Sequence, residues 1–483
     1  MPSFADRFRI RHPVDLLSEA GRSAIHEASL GILERTGIRI PSETARRDLR
    51  AAGAQVSERS PVVTFPPDVV QSLVDRAPRE LTLAGRTKAF DLPMTSDHFY
   101  TTTDGCGIAV YDAATGGRRD PVLEDIRRTA VISDWLPYLS IYEPMVVPHD
   151  VPAKDHVVVG VRTAMEHTEK HILSESTTKP AEARAQVALA AEVVGSAEEL
   201  KRRHYLSAIH CTVSPLSLDG AAADAALVWA ENHVPVHVMS MAQAGVSGPA
   251  SYAGDLVVSH AETLAVIGMM EAHEPGAPAI YGTVLSSMDP RTGAYMFGSP
   301  ESDLLAAGTM EMAKYLRLPD SVGGFGSTAK VPGVQASIEN ALAAVVCASF
   351  GGEVVNGLGE PAGSRLLSYE QLLLDHEIAA MIVRLFGGIK VDREELAVDL
   401  IEKVGIGGNY LAQRHTLERM RDIFVPMLWD TTPYDTWVAQ GRKDPMATAR
   451  EKTAWILDHH TPVPLPRDTA AGLDRIARDF AKG

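Results

Sequence analysis

The sequence predicts a closed (β/α)8 barrel with an α-rich N-terminal extension and a helical C-terminal extension. Three observations predict it. Short β-rich runs recur eight times between residues 99 and 357. Helix-length stretches separate them, so neighbouring strands run parallel through crossovers. The first run is followed by Asp104-Gly105-Cys106-Gly107. That lacks the GxGxxG spacing of an open doubly wound sheet, so the barrel is preferred.

Residues 16–36 carry Leu17, Ile25, Ala28, Leu30, Ile32 and Leu33 at helical spacing and stop at Gly37. A helix over 45–52, a strand over 62–65 and a helix over 67–76 follow, in an extension reaching residue 92. The eight strands are read at 99–106, 139–147, 171–176, 205–211, 235–241, 279–286, 321–325 and 353–357. Helices between them include 181–194, 221–232, 252–272, 302–316 and 334–349. Further helices over 368–386, 393–404, 415–428 and 446–459 and an amphipathic end make the tail. No repeat or long linker intervenes, so residues 1–92, 93–367 and 368–483 are expected to pack together, with both extensions on the barrel.

Composition excludes several classes. The 483 residues are 45% hydrophobic and 22% charged, unlike disordered, collagenous or disulfide-scaffold chains. Lys and Arg number 46 against 62 Asp and Glu, a net charge of −16. No basic run offers a nucleic-acid footprint. An acidic surface serves solubility and is compatible with a cationic substrate. Cys106, Cys211 and Cys347 form no CxxC pair, and the start has no apolar signal core. Both features lead us to expect a reducing cytoplasm. The apolar stretches 341–350 and 378–386 fall short of a membrane span, and Arg384 interrupts the second.

Barrel chemistry belongs at the carboxyl ends of strands. Acids recur there (Asp104, Glu143, Glu175, Glu360), and so do aromatics (Tyr100, Tyr142, Tyr281, Tyr295, Phe297, Phe325). A quaternary ammonium has no N–H to donate, so ring faces and carboxylates must hold it. Taken singly, each aromatic is read first as core and each acid as a partner for backbone or Arg groups. Zinc is not expected: His167 and His171 are four apart and His210 adjoins Cys211, but no HExxH or Cys-rich set is present. Gly298-Ser299-Pro300 is not a nucleophile elbow. The glycine clusters at 323–326 and 405–408 lack a phosphate-loop ending and suit tight turns or approach to a flat ligand.

Several segments carry a more specific signal. Residues 281–300 read YGTVLSSMDPRTGAYMFGSP and 323–340 read GGFGSTAKVPGVQASIEN. Ser368-Tyr369-Glu370-Gln371, with Asp375 and Glu377, precedes GGNYLAQRHTLERMRDIFVP at 407–426. With LERTGIRI at 33–40, the chain resembles the trimethylamine methyltransferase family over nearly its whole length, in the branch without pyrrolysine that includes glycine betaine:corrinoid methyltransferases. The resemblance implies a TIM barrel that docks a separate corrinoid protein. Cob(I)alamin would take a methyl group from nitrogen. It also implies that trimethylamine enzymes carry pyrrolysine on the seventh-strand loop, where this chain has Gly324-Phe325-Gly326. That departure favours substrates already activated by quaternisation.

The charge of a quaternary ammonium is built in, so neither zinc nor an acid need activate it. Too strong a carboxylate grip would stabilise the ground state, because positive charge on nitrogen falls in the transition state. Asp104 and Glu143 are therefore the first candidates for placing the cation, with Tyr142, Tyr281 and Phe325 as cage walls. Gln243 and Glu360 come second, and Gly324, Gly326 and Ser327 are the stretch expected to face the corrinoid. Gln243, His210, Lys330 and loop N–H groups are candidates for a substrate carboxylate; Ser299 and Glu301 are read as helix caps. Two other readings remain: a lyase or hydrolase using Glu143 and Glu175 as acid and base, and a non-catalytic quaternary-ammonium binder. The expected partners are a corrinoid protein and further copies of the same chain.

Overall fold

The computed structural model describes Asp6 and residues 15–105 and 107–482; Cys106, read above as ending the first strand, lies outside them. Eight parallel strands close a barrel. Its units run β1 (Tyr100–Thr103), α1 (Leu123–Trp135), β2 (Ile141–Tyr142), α2 (His156–His167), β3 (His171–Ser174), α3 (Pro180–Val194), β4 (Leu206–Cys211) and α4 (Gly220–Glu231). They continue as β5 (Val236–Ser240), α5 (Tyr252–His273), β6 (Ala279–Thr283), α6 (Pro300–Leu316), β7 (Asp320–Gly323), α7 (Val334–Ser349), β8 (Val354–Leu358) and α8 (Tyr369–Phe386). Closure is made where Val354 of β8 pairs with Tyr100 of β1 and Thr102 of β1 with Ile141 of β2. All eight strands fall on the runs read from the sequence. β2 is much shorter than 139–147, because Pro144 has no N–H for the ladder.

Successive residues on a strand face opposite ways. Tyr100, Ile141, Leu173, Ile280 and Val354 point into the bore. There they pack with Leu81, Leu83, Leu92 and Met94. These four come from an antiparallel pair, Leu81–Leu83 with Leu92–Met94, that plugs one end of the barrel. Tyr142, Ile172, Tyr281 and Val355 point outward and join the large core between strands and helices.

The extensions pack on the outside of the helical ring. Ser18 and Ser42 cap Glu19–Arg35 and Glu43–Ala51 through their side chains, and both helices lie on α5 with Pro67–Val74. His26 reaches His260 of α5 at 2.9 Å. In the tail, Pro445–His459 packs on α8 and α1, and Arg467–Lys482 on α3 and α2. α8 itself packs against α7. Asp375 accepts from Asn340 at 2.9 Å and from the Gly359 N–H at 2.9 Å, which ties α8 to the end of β8. Between α8 and Pro445 the chain forms only short helices and leaves Ile389, Ile406, Leu411 and Val425 exposed. No helix among the described residues is long and apolar enough to cross a membrane.

Candidate active site

The bore is plugged at one end and open at the other. At the open end, beyond the strand C-termini, lies a cavity of about 850 Å³. Asp104, Glu143 and Glu175 line it, each the first residue after β1, β2 and β3. Each stands at an even spacing from an inward residue of its strand: Asp104 from Tyr100, Glu143 from Ile141, Glu175 from Leu173. The same alternation brings in Cys211 from β4, Met239 from β5 and Asn356 from β8. Thr103 Oγ1 accepts from the Glu143 N–H at 2.8 Å and donates to the Glu143 carbonyl at 2.8 Å, which fixes the acid between two strand ends.

Glu143 and Glu175 converge over Gly105. A methyl group there would stand 2.6 Å from Glu143 Oε1 and 2.6 Å from Glu175 Oε2. Burial, then the charge of Glu175 and a hydrogen bond to it, raise the Glu143 carboxyl well above its usual range. Glu360 stands close behind: a Cβ on Gly107 would lie 2.8 Å from its Oε1. Burial, then Asp104 and Glu175, raise Glu360 as well, and neither of its carboxyl oxygens has a hydrogen-bond partner among the described residues. It is not among the residues lining the cavity. Cys211 is pushed up to about 12, chiefly by burial, so its thiol is neutral and a poor nucleophile.

The aromatic wall differs from the one expected. Tyr142 is not a cage residue: its hydroxyl donates to the Ile126 carbonyl at 2.9 Å and meets Thr129 Oγ1 at 2.8 Å, both on α1. Tyr281 likewise turns to the helices, its hydroxyl 2.7 Å from His260 Nδ1 on α5. Phe325 is fully buried in the outer core. The rings that line the cavity are Tyr295 and Phe297, centroids 4.4 Å apart. Their loop is held by the Tyr295 hydroxyl on the Val284 carbonyl and by Ser286 Oγ donating to the Met296 carbonyl at 2.6 Å.

The remaining candidates divide. Gly326 lines the cavity, and a Cβ on it would stand 2.5 Å from Phe297 Cδ1, so only glycine fits beside the ring. Gly324 faces Val355 and Cys347 instead, and the Ser327 hydroxyl donates to Glu339 at 2.6 Å. The Gln243 carbonyl accepts the N–H groups of Val246, Ser247 and Gly248, so this residue builds a turn outside the cavity lining. His210 points outward, adjacent to the inward Cys211, and burial pushes it down to about 4. Lys330 is exposed, with its Nζ donating to the Thr328 carbonyl at 2.7 Å. Ser299 does cap α6, accepting from the Ser302 N–H. Sequence reasoning passed over one charged residue of the cavity, Arg365, which follows a loop beyond β8 and lies on no strand.

Acids, two rings and thioethers surround an open cavity at the carboxyl ends of a parallel barrel, the place where enzymes of the (β/α)8 class hold their substrates. The chain belongs to the trimethylamine methyltransferase family, whose model matches residues 5–482. The trimethylamine methyltransferase of Desulfitobacterium hafniense (strain DSM 10664 / DCB-2) is 31% identical over 456 residues, covering 94% of this chain and 92% of that protein. The glycine betaine methyltransferase of D. hafniense (strain Y51) is 29% identical over 465 residues, covering 95% of each. The crystal structure of the Methanosarcina barkeri monomethylamine methyltransferase aligns over 99% of this chain and 97% of that one, with TM-score 0.46 and 11% identity. The fold assignment rests on the barrel's own strand pairing.

Proposed function

We propose that this protein moves a methyl group from a quaternary amine, glycine betaine or a related betaine, to the cob(I)alamin of a separate corrinoid protein. The corrinoid is the methyl acceptor and thus a substrate. Its nucleophilic cobalt forms a bond to the methyl carbon, the C–N pair stays on nitrogen, and a neutral tertiary amine leaves.

The observation that carries this reading is the acid floor beneath an apolar and aromatic wall, with burial and Glu175 raising the Glu143 carboxyl and so opposing full charge on the floor. Such a floor attracts a permanent cation yet does not over-stabilise it as its charge disappears. Tyr295, Phe297 and the methionines Met239 and Met241 surround methyl groups without demanding a hydrogen bond. This chain's part is to orient one methyl group toward the mouth and to exclude water. Gly326, buried against Phe297, lets that ring close on the cavity wall.

The test is incubation with glycine betaine, a reductant and a corrinoid protein or free cobalamin. Conversion of the cob(I)alamin spectrum to that of methylcobalamin, with one dimethylglycine per methyl transferred, is expected. No conversion with any of several quaternary amines would falsify the proposal. A second reading draws on the same pair: raised Glu143 facing Glu175 is also what a lyase or hydrolase acid and base need. Consumption of substrate without methyl transfer would favour it.

A further inference from the structure

We infer that Arg365 is the specificity-determining residue that receives the anionic end of the substrate, so that the site selects zwitterions bearing both a trimethylammonium and a carboxylate. The inference rests on the quaternary-amine reading and names the residue for the substrate carboxylate, which that reading leaves unassigned.

Arg365 is the one cation among the described residues lining the cavity; the other charged groups there are Asp104, Glu143 and Glu175. The two signs come from different parts of the wall. The acids follow β1, β2 and β3, while Arg365 follows the turn after β8. Glu143 is buried and Arg365 exposed, so the cavity runs from an acidic floor to a cationic rim. A substrate with one positive end would leave that rim without a partner. A zwitterion satisfies both. The other groups considered for a carboxylate, Gln243, His210 and Lys330, are not among the lining residues.

The backbone fixes Arg365 where it stands. Ala362, Gly363 and Ser364 are successively left-handed, with φ of 61°, 70° and 57°. Two of these are not glycine, and such a conformation persists only where the surroundings over-determine it. Here they do. The Ala362 N–H donates to the Ala329 carbonyl at 2.8 Å and the Gly363 N–H to the Ser327 carbonyl at 2.7 Å, both on the loop after β7. On the other side the Ile108 N–H donates to the Arg365 carbonyl at 3.1 Å, and Leu366–Leu367 pairs with Ala109–Asp112. The guanidinium forms no ion pair among the described residues. Its planar fork matches a carboxylate bidentately, which a lysine does not.

The test is calorimetric binding of glycine betaine, carnitine and choline to the full chain and to Arg365→Gln and Arg365→Lys, with kcat and KM measured alongside. Arg365→Gln is expected to weaken both carboxylate-bearing ligands about 10- to 100-fold, the range of a charged hydrogen bond. It should leave choline binding and thermal stability unchanged, and Arg365→Lys should recover part of the loss. Equal weakening of choline, tighter choline than betaine binding by the unaltered protein, or unchanged betaine affinity would overturn the inference alone. Reduced turnover with a corrinoid protein at unchanged betaine affinity would also overturn it, placing Arg365 on the partner's surface. An unaltered protein that binds none of the three compounds overturns the quaternary-amine reading, and this inference with it.

Discussion

The two ends of the barrel bore are built from the same strands and the same alternation, yet one is closed and the other open. At the closed end Tyr100, Ile141, Leu173, Ile280 and Val354 meet the plug of Leu81, Leu83, Leu92 and Met94. At the open end the inward positions become Asp104, Glu143 and Glu175, and no segment among the described residues fills the cavity they line. Packing and polar groups are thus separated along one axis, a few residues apart on β1, β2 and β3.

Substitutions at the two ends test this division. Leu83→Ala, in the plug, removes a fully buried side chain and is expected to cost about 2–5 kcal/mol of stability. Its KM at low temperature should be unchanged, and denaturant unfolding beside Michaelis kinetics checks both. Gly105→Ala, at the open end, places a methyl 2.6 Å from both Glu143 and Glu175. It is expected to lower kcat/KM about 100-fold, the scale on which a misplaced reacting group acts, while the unfolding midpoint moves little. Phe297→Leu should raise KM for a quaternary amine up to about thirtyfold, the upper range of one ring's attraction for a cation.

The smallest effects sharpen the same comparison across the strand wall. Tyr142→Phe and Tyr281→Phe each remove hydrogen bonds to a helix and are expected to cost about 0.5–1.5 kcal/mol. Neither should change KM. A raised KM in either variant would return that ring to the cavity and contradict the outward orientation.

That orientation marks how far the sequence could be read. The eight strands were legible because β-rich runs alternate with helical ones, a pattern that survives uncertainty about strand ends. The acids were legible because charged residues directly after buried strands have few places to go but the barrel mouth. The rings were not, because both faces of a barrel strand are apolar and composition does not say which face is inside. One signal was present all the same. Tyr142 and Glu143 are neighbours on an extended segment, so a Glu143 that faces the bore sends Tyr142 to the helices. Tyr281 had no adjacent acid to set its parity, and its orientation follows only from the register with Val238 and Asp320. Tyr295 and Phe297 lie in the YGTVLSSMDPRTGAYMFGSP segment, but on a loop whose path over the cavity depends on tertiary hydrogen bonds such as Ser286 to Met296. Arg365 was hidden for a similar reason: a left-handed turn of Ala, Gly and Ser leaves no periodic trace.

If the acid floor receives a permanent cation, the titration of Glu143 reports it. Burial and the neighbouring Glu175 raise this carboxyl in the free protein. A cation placed beside it favours the ionised form and lowers its pKa, so at pH values between the free and the bound pKa binding releases part of a proton. Affinity should therefore rise with pH until Glu143 ionises without ligand. Calorimetry of glycine betaine binding across a range of pH, repeated in buffers of different ionisation heat, follows that proton. Net release on binding, abolished in Glu143→Gln, is the expected result; binding with no proton exchange, or with uptake, would contradict it.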